Sequence, residues 1–217
     1  MQAGEITGLI IAQVLLSLLL FATVITFLVL LLRKPLRRYK PVDMAIFEKI
    51  RPSVNSVNNR LMLFITFLGK HQFLIPANLL LILYFIFVTK ENWFSIRVIV
   101  IALSSLVLMV LLKQLFQRKR PLSPLLKAAR GLSFPSGHAI MAVTFYGLLI
   151  YIVDHSVNTE WIRLLVIVLL AILIIWIAYS RVYLRVHYAS DVVAGLIIGS
   201  IWLFISMGVL DKLENHF

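Results

Sequence analysis

The sequence predicts an all-α integral membrane protein: a bundle of six spanning helices with a short interfacial helix in the first loop. Two observations carry this expectation. Of the 217 residues 61% are hydrophobic and 14% charged, where a soluble domain has roughly 45–50% apolar and about 25% charged residues. The apolar residues are also gathered into runs that can cross a bilayer core, which takes about 20 residues. The length suits a single domain, residues 1–217. The chain has no cysteine, which excludes disulfides, thiolate metal sites and cysteine nucleophiles. In a soluble protein the net charge of +12 would suggest nucleic acid. In a membrane protein the expected partners are anionic lipid head groups, with no nucleic acid.

Taken in order, the 27 uncharged residues between Glu5 and Arg33 predict a first span. No basic residue precedes it and no small-residue cleavage site closes it, so it does not read as a cleaved signal. Arg33 to Arg60 is polar and basic, and the apolar residues within Asp43–Ile50 fall at helical spacing, which predicts a helix lying in the interface. Leu61 to Leu68 is apolar, Gly69-Lys70-His71 interrupts, and Phe73 to Val88 resumes as a second span with Pro76 near its start. Four more spans are expected, at about Trp93–Leu112, His138–Val153, Trp161–Tyr179 and Val192–Leu210. Gly195 and Gly199 sit four apart on the last, a spacing that permits close helix packing inside one bundle and indicates no oligomeric state. No charge lies at a span centre, which argues against an ion path through the bilayer.

Three stretches carry chemistry. Ser180–Asp191 packs Arg181, Arg185, His187 and Asp191 between two apolar runs. His187 and Asp191 are four apart, so on a helix they would share a face. A carboxylate on one imidazole nitrogen leaves the other free as base or nucleophile. Arginine forks suit phosphate oxygens. A second stretch runs from Lys113 through Arg118, Lys119, Arg120 and Pro121. The third, Phe134-Pro135-Ser136-Gly137-His138, leads into a span; helix-start N–H groups, a small glycine and a hydroxyl can cradle an oxyanion. Taken singly, these are an ordinary basic loop, an ordinary N-cap and an ordinary interface loop. Two spans separate the Lys113–His138 loop from Ser180–Asp191, so both return to the same face whichever side it is.

Together, Lys113-x6-Arg120-Pro121, Pro135-Ser136-Gly137-His138 and Ser180-Arg181-x5-His187-x3-Asp191 resemble the three signature motifs of the type 2 phosphatidic acid phosphatase superfamily. The resemblance covers about residues 61–210, with every defining position present. It implies a histidine-based lipid phosphatase with no metal and no cofactor. His187 would attack phosphorus to form a phosphohistidine and Asp191 would orient it. His138 would protonate the leaving oxygen and then activate water. Lys113, Arg120, Arg181, Ser136 and the Gly137 N–H would hold the phosphoryl oxygens. A fixed ring of cations can neutralise a phosphoryl group, and the motif regions contain no carboxylate cluster for a divalent ion. Arg185 and Tyr183 fall outside the signature and read as interface anchors.

The implied substrate is a lipid phosphate or diphosphate: undecaprenyl diphosphate, phosphatidylglycerophosphate, phosphatidic acid or a lipid A phosphate. A lipid-to-lipid phosphotransferase and a non-catalytic lipid-binding or transport protein are the alternatives. Haloperoxidases that use vanadate share the motifs but are soluble. The implied location is a bacterial inner or plasma membrane. Of the 21 lysines and arginines, 17 fall on the motif face, so the positive-inside rule would turn that face to the cytoplasm. The resembled membrane enzymes keep their site extracytoplasmic, and that orientation is expected here because Lys113, Arg120 and Arg181 have a chemical reason to be on the motif face.

Overall fold

The computed structural model describes residues 40–121, 124, 125 and 131–215, together with Thr23 and Thr26. The chain divides into two compact units, Met1–Lys40 and Pro41–Phe217. The expected first span lies outside the described residues apart from Thr23 and Thr26, both helical. In the second unit, regular structure among the described residues is entirely helical.

Helix α1 (Lys40–Ile50) occupies the expected interfacial segment, with Asp43 in its first turn and Lys49 in its last, as the helix dipole favours. Its buried residues are Asp43 and Phe47, which are four apart and share a face. A turn at Arg51–Ser53 leads to α2 (Ser56–Leu68), whose first turn is capped by Asn55 accepting the Asn58 N–H at 2.8 Å. The expected interruption is a true break: α2 ends at Gly69, and Lys70 adopts the extended conformation that starts α3 (His71–Tyr84). Pro76 lies inside α3 rather than at its first position. Next come α4 (Asn92–Phe116), α5 (Gly137–Ser156), α6 (Glu160–Tyr183) and α7 (Ala189–Glu214). Among the described residues, five helical segments, α3 extended to Thr89 and α4 to α7, are long and apolar enough to cross a membrane.

Helix α5 is central, packing against α4, α6 and α7, while α2 lies on α6 and α3 on α4. The glycine pair has the packing role expected of it. A Cβ at Gly195 would stand 2.9 Å from the Ser136 carbonyl oxygen, and one at Gly199 would stand 3.2 Å from the Ile140 backbone. These glycines seat α7 against the start of α5, where the Ser136–His138 motif lies. Helix α6 changes character along its length. Leu164, Leu165, Val168, Leu169, Ile172 and Ile175 are exposed, an exterior suited to acyl chains rather than water. Its last turns, Ser180 to Tyr183, are buried.

Candidate active site

Backbone hydrogen bonds tie the loop after α4 to itself, to the α6–α7 connection and to the first turn of α7. Ser133 N–H donates to Arg118 O at 2.7 Å, Leu125 N–H to Leu184 O at 3.0 Å, and Ser136 N–H to Asp191 O at 3.1 Å. Arg120 adds side-chain links, from Nε to Gly131 O at 3.2 Å and from Nη1 to Val186 O at 2.9 Å. Two non-glycine residues in the left-handed region turn the chain here, Gln117 (φ 46°) after α4 and Arg185 (φ 53°) after α6. Such backbone conformations are costly and persist where surrounding contacts enforce them.

His187 and Asp191 do not share a helix face. Helix α7 begins at Ala189, so His187 lies in the connection and Asp191 in the first turn. The closest partner of His187 Nδ1 is the Ser133 carbonyl oxygen at 2.7 Å, while Asp191 Oδ2 stands 3.8 Å away. A carbonyl can only accept, so this contact assigns the proton to Nδ1 and the lone pair to Nε2. Nε2 lies 3.4 Å from Arg120 Nη1. Burial is the main force on the imidazole and pushes its pKa down to about 4, with Arg120 and Arg181 acting the same way and Asp191 opposing. The ring is therefore neutral near pH 7. Asp191 is a three-way acceptor, from the Ser133 hydroxyl, the Tyr188 N–H (3.0 Å) and Arg118 (2.5 Å), with His187 Nδ1 beyond hydrogen-bond reach at 3.8 Å. It holds the group that holds His187.

The cations divide sharply. Arg181 is 4% exposed, donates through Nη1 to the Thr66 hydroxyl and has no partner on Nε. Lys113 Nζ donates to the Leu132 carbonyl at 2.8 Å, and Arg120 to the two carbonyls already named. None of the three is in an ion pair among the described residues, whereas Arg118 takes both Asp43 and Asp191. Ser136, fully buried, has a hydroxyl with no partner. Buried polar atoms rarely go unpaired, so the free Ser136 Oγ and Arg181 Nε are available to a ligand oxygen. Gly137 admits Met109 so closely that a Cβ would collide with the sulfur, and the same Cβ would lie 3.9 Å from Lys113 Cε. His138 is half-buried at the start of α5. Gly69, at the α2–α3 break, packs against it, with its Cβ position 3.3 Å from His138 Cδ2. The charges of Arg181, Arg120 and Lys70 all reach His138.

All eight expected site residues thus lie on one face of the bundle, linked directly or through one neighbour. Four contributors had no distinct signal in the sequence. Ser133 acts through its carbonyl and hydroxyl, Thr66 supports Arg181, and Arg118 and Asp43 complete the pairing around Asp191. One further expectation is corrected. Tyr183 is buried, with its hydroxyl 3.0 Å from Asn59 Oδ1 and 3.1 Å from Ser53 O, so it ties α6 to the segment before α2 and is not an interface anchor. Arg185 reaches the Phe47 carbonyl and lies 5.7 Å from the Phe47 ring, so it contacts α1.

A buried neutral histidine thus lies beside cations that pair with no carboxylate among the described residues, at the ends of membrane-length helices. The PAP2 superfamily model matches residues 94–214. The chain belongs to the PAP2 superfamily, in its membrane lipid phosphatase branch. It is 29% identical over 159 residues to phosphatidylglycerophosphatase B of Bacillus subtilis, covering 72% of this chain and 77% of that protein. It is 26% identical over 184 residues to an undecaprenyl-diphosphatase of Sulfolobus acidocaldarius, covering 80% and 83%. Among solved structures, the transmembrane PAP2 type phosphatidylglycerolphosphate phosphatase of Bacillus subtilis superposes with a TM-score of 0.76 at 25% identity, over 88% of this chain and 96% of that one. Aquifex aeolicus LpxE gives 0.58 at 26% identity, over 76% and 94%.

Proposed function

We propose that this protein hydrolyses a lipid phosphate or lipid diphosphate through a phosphohistidine on His187, without a metal ion. The observation that carries the proposal is the pairing of a neutral imidazole, its Nδ1 proton held by Ser133 O, with cations that no carboxylate neutralises. Nε2 of His187 attacks phosphorus, the bond from phosphorus to the lipid oxygen breaks, and His138 delivers a proton to that oxygen. Water then attacks the phosphohistidine, losing its proton to His138 as the phosphorus–nitrogen bond breaks and phosphate leaves. Lys113, Arg120, Arg181, Ser136 Oγ and the Gly137 N–H supply the charge and hydrogen bonds that phosphoryl transfer needs. The substrates that the relatives' names give, phosphatidylglycerophosphate and undecaprenyl diphosphate, are the first to test. Both present a terminal phosphoryl group on a lipid.

Phosphate release from purified enzyme, with each lipid supplied alone, tests the reaction. Activity is expected to persist in EDTA and to be inhibited by vanadate; loss in EDTA with recovery on adding magnesium would refute the metal-free route. The site is further proposed to face the extracytoplasmic side. In a chain without cysteine, an impermeant thiol reagent added to intact cells should label a cysteine at Lys49, on the site's face, and not one at Asn158. The reverse pattern would place the site in the cytoplasm.

A further inference from the structure

We propose that Asp43 and Arg118 are positioning residues of the active site, through which the interfacial helix α1 sets the state of His187. Asp43 is 1% exposed, and a buried carboxylate is stable only when paired and hydrogen-bonded. It accepts from Ser190 N–H at 2.9 Å, Ser190 Oγ at 2.7 Å and Arg118 Nη2 at 2.8 Å. Arg118 Nη1 meanwhile donates to Asp191 Oδ1 at 2.5 Å and to Ser190 Oγ at 2.7 Å. One guanidinium thus bridges two buried carboxylates from α1 and α7. Its plane is further held over the Tyr188 ring, 4.2 Å from the centroid. Arg118 is therefore neutralised by two carboxylates, unlike Arg120, which lies two residues away in the same basic run and has no carboxylate partner among the described residues.

This network acts on His187 in two ways. The first is geometric. Asp191 Oδ2 receives the Ser133 hydroxyl and the Tyr188 N–H while Oδ1 is held by Arg118, so the carboxylate orientation fixes Ser133, whose carbonyl takes the His187 Nδ1 proton. The second is electrostatic. The ionisable groups around His187 are Asp191 at 3.8 Å, Arg120 at 3.4 Å, Arg181 and His138. Arg118 lies on the far side of Asp191 and offsets part of its negative charge. Without Arg118, Asp191 would draw a proton onto the imidazole more strongly, and the pKa of His187 would rise from about 4. Removing Asp43 releases Arg118 to Asp191 alone and should not raise it.

The inference rests on His187 being the nucleophile, as proposed above, and the test separates the two. Full-length enzyme in detergent would be assayed as wild type and as Arg118→Met, Asp43→Asn and Ser190→Ala, using p-nitrophenyl phosphate and a lipid phosphate. The readouts are kcat, KM, the acid limb of kcat/KM corrected for substrate ionisation, and melting temperature. Arg118→Met should lose about 10–100-fold in kcat, the range typical of groups that hold another site residue, with KM changed less than about threefold. Its acid limb should move to higher pH, whereas that of Asp43→Asn should stay or move lower. Ser190→Ala keeps every charge and should show a smaller kcat loss with the acid limb unmoved. If Arg118→Met does not fold, Asp43→Asn and Ser190→Ala still decide: losses in kcat at constant KM support positioning, and wild-type kcat in both refutes it. The inference also fails if the variants lower only the melting temperature, or if Arg118→Met raises KM at constant kcat, as a phosphate ligand would. If wild type releases no phosphate, or His187→Ala retains activity, it is the nucleophile assignment that fails.

Discussion

The bundle carries a buried arginine at each end, and the two are handled in opposite ways. Arg97, 3% exposed near the start of α4, donates to Asp211 at 2.8 Å and to Glu214 at 2.5 Å, with the Phe94 and Tyr151 rings 5.4 and 5.6 Å from its guanidinium carbon. Arg181, 4% exposed near the end of α6, has a threonine hydroxyl and no carboxylate among the described residues; Nε is without a partner in both arginines. A buried cation is costly unless neutralised. Arg97 is neutralised by the protein and belongs to the structure. Arg181, with Lys113 and Arg120, has no carboxylate partner among the described residues, as the proposed binding of a phosphoryl group requires. The same contrast recurs within one loop, where Arg118 takes the carboxylates and Arg120 takes backbone carbonyls and stands beside His187 Nε2.

Substitution can break this comparison directly. Arg181→Gln should cost about 100-fold or more in kcat/KM, since it removes a charge aimed at the transferring group. It should leave melting temperature unchanged or raised, because it also removes an unpaired buried charge. Arg97→Gln should do the reverse, lowering stability by about 2 kcal/mol while activity per folded molecule is kept. That figure is below the 3–5 kcal/mol for a fully buried pair because Asp211 and Glu214 are 44% and 39% exposed and partly screened. Equal effects of the two variants on activity would dissolve the distinction. A smaller effect sharpens it on the His138 side. Gly69→Ala sets a methyl 2.6 Å from Ile177 Cγ2 and 3.3 Å from His138 Cδ2, so kcat should fall several-fold with little change in KM; unchanged kcat would show that His138 tolerates displacement.

Residues whose chemistry is in the side chain, at fixed spacing and on helix ends, were legible in the sequence. Lys113, Arg120, His138, Arg181 and His187 stand out in an apolar chain, and the two intervening spans return them to one face. Ser133 was invisible because it contributes a main-chain carbonyl, which no residue type signals. Arg118 was hidden in a basic run whose members look alike until their partners are known. Asp43 only marked the start of the interfacial segment; its burial depends on contacts with Arg118 and Ser190, 75 and 147 residues away. The His187–Asp191 spacing misled because helical periodicity applies only inside a helix, and α7 starts between them. The helix positions came from apolar run length, which the bilayer imposes; the first span falls outside the described residues.

The central claim is that His187 Nε2, neutral and facing unpaired cations, forms a covalent bond to phosphorus. It is tested most directly by quenching enzyme with radiolabelled p-nitrophenyl phosphate, whose nitrophenolate leaves without a proton from His138, and mapping the labelled peptide. His138→Ala, unable to activate water, should accumulate acid-labile, base-stable phosphate on His187, and His187→Ala should carry none. Label retained on His187→Ala, or accumulating on His138 instead, would contradict the account.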